Sequence, residues 1–104
     1  MNGVGSMNIP LRPLKEEQWQ RIESRVLADC PHFQQQLLEL VPMSKLQYRV
    51  CLLLKLGIKP SQIARLTAHS PEAISSIRRR LYQKATGRNG SPKDWDEIII
   101  RLKR

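Results

Sequence analysis

An all-α fold is predicted by three observations. Apolar residues recur at spacings of three and four along most of the chain, no segment alternates with period two, and Ser-Pro pairs and glycines divide the periodic stretches into five or six helices without internal repeat. The chain has 104 residues, 40% of them hydrophobic and 26% charged, which suits one small globular unit and argues against a disordered tail. A barrel enzyme or a doubly wound nucleotide-binding domain needs a longer chain.

Residues 1–14 form a flexible lead-in. Met1-Asn2-Gly3-Val4-Gly5-Ser6 is small and polar and precedes a second methionine, Met7, so this start reads as an expression remnant or a mobile end. Ile9-Pro10-Leu11-Arg12-Pro13 is extended, because proline disfavours helix in the residue before it. Residues 15–42 form an N-terminal helical extension. Its first helix, 15–29, carries Trp19, Ile22, Val26 and Leu27 on one face and Glu16 and Glu17 in its first turn, where the macrodipole favours them. Its second, short helix carries Phe33, Leu37, Leu38 and Val41 opposite the polar Gln34-Gln35-Gln36 and is closed by Pro42.

Residues 43–104 form a second unit. Ser44 is an N-cap for the most apolar helix, with Leu46, Val50, Leu53 and Leu54 as its stripe and Gly57 as its left-handed terminator. Ile58-Lys59-Pro60-Ser61 breaks and restarts the helix, and Ile63, Ala64 and Leu66 span about two turns before Thr67-Ala68-His69. Ser70-Pro71 caps and starts a helix whose inner face is Ile74, Ile77 and Leu81 and which runs to about Thr86, before Gly87. Asn89-Gly90 is a turn, and Ser91-Pro92 starts the last helix. There Asp94, Asp96 and Glu97 crowd the first turn, Arg101, Lys103 and Arg104 crowd the end, and Trp95, Ile98, Ile99 and Leu102 form the apolar stripe.

Charge narrows the function. There are 18 Lys and Arg against 9 Asp and Glu, a formal net charge of +9, so acidic partners are expected. Residues 1–42 hold four basic and five acidic side chains, whereas residues 43–104 hold fourteen and four. The two cysteines, Cys30 and Cys51, fit a reducing, cytoplasmic setting, with Cys51 a small core residue and Cys30 a helix-end residue. No apolar run approaches the ~18 residues of a membrane span, so no membrane contact is expected in this segment. His32 and His69 lie in different segments without a nucleophile or carboxylate at catalytic spacing, and no glycine-rich phosphate loop is present. Cys30 with His32 could make half of a metal site, but a structural zinc takes about four ligands and only Cys51 and His69 remain as soft or imidazole candidates. Enzyme chemistry, a metal, a cofactor and a small-molecule ligand are therefore not expected.

A long apolar helix, a two-turn helix, a brief turn and a capped helix dense in arginine make the sequence shape of a helix-turn-helix. With Ile74, Ile77 and Leu81 inward, Ala73, Ser75, Ser76, Arg79, Arg80 and Gln83 fall outward or on the shoulders, a face able to enter a major groove. Ser75 and Ser76 allow close approach to base edges, and Arg79 has the fork geometry for O6 and N7 of guanine. Arg78, Arg80 and Lys84, with Lys59, Ser61 and Ser70 at the starts of the two motif helices, are expected on phosphates.

Residues 43–87 resemble the LuxR/GerE-type helix-turn-helix. Arg49-Val50, Gly57, Gln62-Ile63-Ala64, Ser70, Ile74, Lys84 and Gly87 fall at that family's spacing, and the last helix extends the likeness to its four-helix domain. The resemblance implies a bacterial transcription regulator that binds duplex DNA in sequence-specific fashion, with base contacts from Ser75, Ser76 and Arg79. Gln47, Gln62, Ala73, Ser75 and Ile77 depart from the glutamate, glutamate, threonine, lysine and histidine usual there, so the recognised sequence does not carry over. Upstream, Trp19, Pro31-His32-Phe33 and Leu37 are similar to the segment preceding this domain in Bacteroidetes regulators with tetratricopeptide repeats and a membrane-anchored front half, which implies the DNA-binding tail of a longer protein.

Two alternatives stay open: a promoter-binding domain like those of sigma factors, acting with RNA polymerase, and a protein-interaction module with a basic face. The stripe Trp95, Ile98, Ile99 and Leu102 either packs on the chain's own core or pairs with a second copy, as the fourth helix does in dimers of the resembled family. Ile98, Ile99 and Ile100 are consecutive and cannot all face one core, so at least one meets solvent or a partner.

Overall fold

The computed structural model describes residues 12–102. The suggested remnant at 1–6, most of the extended lead-in at 9–13, and Lys103 and Arg104 lie outside the described residues. Six helices follow one another: α1 (Glu16–Asp29), α2 (Phe33–Leu40), α3 (Lys45–Lys55), α4 (Pro60–Thr67), α5 (Pro71–Thr86) and α6 (Pro92–Arg101). Among the described residues there is no strand, and the fold is all-α. None of these helices is long and apolar enough to cross a membrane.

The helix ends follow local chemistry. The Ser44 hydroxyl accepts from the Gln47 N–H while the Gln47 side chain accepts from the Ser44 N–H, a reciprocal box that satisfies two orphan donors of α3. At the other end Gly57 takes φ 82°, its N–H bonds the Leu54 carbonyl and the Ile58 N–H reaches back to Leu53. That is a Schellman closure, and buried Ile58 supplies the apolar contact that accompanies it. The side chains of Gln18 and Asp94 accept from the N–H groups of Lys15 and Ser91 at the starts of α1 and α6.

α3 is the centre of the molecule. Five successive residues, Val50 to Leu54, are buried, because α1, α4 and α6 pack around it. α5 lies against α4 and α6, and α2 against α1. The buried side chains of α1 and α2, namely Trp19, Ile22, Val26, Phe33 and Leu37, join those of α3 to α6 in one continuous core. The radius of gyration, 12.9 Å, matches the ~13 Å of a close-packed chain of this length. The last residue of the lead-in is fastened rather than loose: Leu14 is partly buried and donates its N–H to the Leu66 carbonyl, an acceptor left unpaired by the ending of α4. Cys30 closes α1 and Cys51 sits in the core, both as free thiols.

Candidate nucleic-acid interface

Three residues, 68–70, join α4 to α5. Ala68 is left-handed at φ 59°, with its N–H on the Arg65 carbonyl and the His69 N–H on Ala64, so α4 ends in the same closure as α3 but without a glycine. The exposed His69 ring donates from Nδ1 to the Thr67 carbonyl at 2.6 Å. The Ser70 hydroxyl oxygen accepts from the Ala73 N–H, and Pro71 occupies the first turn, where no N–H is needed. The chain therefore reverses tightly and restarts α5 with its direction fixed.

The inner face of α5 differs from expectation. It is Ile74, Arg78 and Leu81, with Ile77 only partly buried beside them. Arg78, expected on phosphate, is 5% exposed and grips Asp96 of α6 through Nε (2.9 Å) and Nη2 (2.5 Å). The correction has a plain cause: α6 lies against α5 and presents the Asp96 carboxylate, which satisfies the guanidinium fork in two bonds. Asp96 was the residue that sequence reasoning missed, since on its own helix it reads as one more acidic residue near an N-terminus.

The outer face of α5 carries Ser75 and Ser76, half-buried, followed by Arg79, Arg80, Gln83 and Lys84, all exposed. Pro71, Glu72, Ser75, Ser76 and Arg79 line one shallow hollow on it. Arg79, Arg80 and Lys84 form no ion pair among the described residues, and neither do Lys59 or Arg65, exposed on and just before α4. Ser61 is exposed there too, and the hydroxyl of Ser70, though used as a cap, still has its proton to donate. The cations of α3 are engaged elsewhere: Lys45 and Arg49 meet Glu16 of α1, and Arg49 also lies 4.9 Å from the Trp19 ring centre.

In α6 the apolar stripe divides. Trp95 and Ile99, expected as possible dimer contacts, are 0% exposed and belong to the core, because α3 and α5 cover that side of the helix. Ile98 and Leu102 are partly buried, and Ile100 is 63% exposed. The buried Trp95 indole N–H has no hydrogen-bond partner, and burial pushes the Cys51 thiol up to about 12. The Lys55 ammonium, 6.0 Å from the Phe33 ring centre, donates to the carbonyls of Ile99, Ile100 and Leu102 at the end of α6.

Comparison with protein-family models, with curated proteins and with solved structures finds no match. Among the described residues no group of three or more His, Cys, Asp or Glu side chains is placed to hold a metal ion.

Proposed function

We propose that this chain binds duplex DNA in a sequence-specific manner, as all or part of a bacterial transcription regulator, with α4, the turn and α5 acting as a helix-turn-helix and α5 entering the major groove. The observation that carries the reading is the outer face of α5: two serines small enough for close approach, then Arg79, Arg80 and Lys84 without internal partners, on a helix capped and anchored from behind by Arg78 and Asp96. Cations left unpaired on a rigid helix are free to replace the counterions of a phosphate backbone.

Roles follow from reach and geometry. Arg79 takes a guanine through O6 and N7, with Ser75 and Ser76 against neighbouring base edges. Arg80, Lys84, Lys59, Ser61 and Ser70 meet phosphates and set register. A dimer through α6, fitting an inverted repeat, rests on Ile98, Ile100 and Leu102, since Trp95 and Ile99 are spent on the core.

The test is selection from random duplex DNA at near-physiological salt, because bare binding by a +9 chain says little about sequence. Enrichment of one motif, lost in Arg79→Ala at the position of its guanine, is the expected result. Folded protein that enriches no motif overturns the reading.

A further inference from the structure

The face assigned to DNA contains one residue of the wrong sign. Glu72 is the single acidic side chain of α5; it is exposed, forms no ion pair among the described residues, and borders the same hollow as Ser75, Ser76 and Arg79. It stands four residues before Ser76 and seven before Arg79, so the three side chains form one stripe along the outer face. From this placement, and resting on the DNA-binding reading above, we infer that Glu72 is a specificity-determining residue that accepts a hydrogen bond from the exocyclic amino group of a cytosine in the major groove.

A carboxylate carried into a groove walled by phosphates is repelled unless it meets a donor. The major groove offers two amino donors, N4 of cytosine and N6 of adenine. Adenine sets the N7 acceptor beside its amino group, where it opposes the second carboxylate oxygen. Cytosine sets a C–H there, which does not. Seven residues of helix advance about 10.5 Å, and a helix that follows the groove at an angle covers about two to three base steps in that length, so the cytosine read by Glu72 lies about two to three base pairs from the guanine taken by Arg79. The same carboxylate also suits the positive end of α5, but that role is blind to sequence.

The experiment repeats the selection with the wild-type chain, Glu72→Gln and Glu72→Ala, then measures competition between duplexes that differ only at the cytosine position. In the wild type, cytosine is preferred by roughly tenfold over the other bases. Glu72→Ala brings that ratio close to one, by weakening binding to the cytosine duplex while the duplexes with other bases at that position bind as before. Glu72→Gln moves the preference toward adenine, whose N6 and N7 match a carboxamide. A wild-type motif whose base preferences are untouched by both substitutions overturns the role of Glu72 and leaves DNA reading standing. Absence of any wild-type motif overturns both.

Discussion

At the scale of single residues, Ala68 and Arg78 are the positions where side chain and environment are least matched in appearance. Ala68 holds φ 59° at the end of α4, a conformation that costs an L-residue with a Cβ roughly 1 kcal/mol and that Gly57 and Gly87 adopt without that cost. Ala68→Gly is expected to raise unfolding stability by about 1 kcal/mol in denaturant titration, less the extra freedom glycine gains in the unfolded chain; a loss of stability would show that the methyl group packs usefully in the turn. Gly57 and Gly87 were legible in the sequence as terminators because glycine advertises the left-handed conformation. Ala68 was not, since alanine favours helix and only the Ser-Pro restart behind it stops the chain. Arg78 was equally hidden. From Ile74, a step of about 100° per residue puts Ile77 and Arg78 on opposite shoulders of the inner face, so periodicity alone could not choose between them.

At the scale of helices, two polar clasps hold packed pairs together. Arg78 and Asp96 join α5 to α6, with 6% and 19% of their side chains exposed. Removing one partner leaves the other buried and uncompensated, so Asp96→Ala is expected to lower stability by about 3 kcal/mol in thermal or denaturant unfolding, whereas an apolar pair at both positions is expected to recover most of it. Glu16 of α1 receives Arg49 and Lys45 of α3, and the hydrogen bond from Arg49 holds its carboxyl below the usual carboxylate range. A lowered native pKa means that the unfolded chain binds the proton first. The contribution is present above the unfolded value and fades as pH falls through the native one. Stability measured from pH 6 down to 3 should therefore fall more steeply for the wild type than for Glu16→Gln. The helices themselves were readable, as five or six, from caps at Ser44, Ser70 and Ser91 and from apolar spacing. Their pairing was not, because nothing local in α6 says which of its isoleucines will meet α3, and Trp95 and Ile99 took that side.

At the scale of the whole molecule, charge is sorted by fold as well as by sequence. The excess of residues 43–104 was visible from counting, but the structure retires several of those cations into internal pairs and leaves Arg79, Arg80 and Lys84 together on one helix. Under the proposed function, affinity for duplex DNA should fall with salt with a log–log slope of about −4.5 if some five phosphates are neutralised, and Lys84→Ala should flatten that slope by about one while weakening all sequences alike. A slope unaffected by Lys84→Ala would place that residue off the backbone. The set proposed to face bases, Ser75, Ser76 and Arg79, was legible as a surface, since small residues and a long fork at helical spacing identify one, whereas the place of Glu72 beside them shows only in the hollow they share. Lys55 shows what the sorting withholds. All three of its ammonium protons are shared among carbonyls of Ile99, Ile100 and Leu102, 44 to 47 residues away in sequence. An acylating group meets this nitrogen only after the ammonium lets go of those carbonyls, so modification at Lys55 in the folded chain records release of the end of α6, where modification at Lys84 records only access.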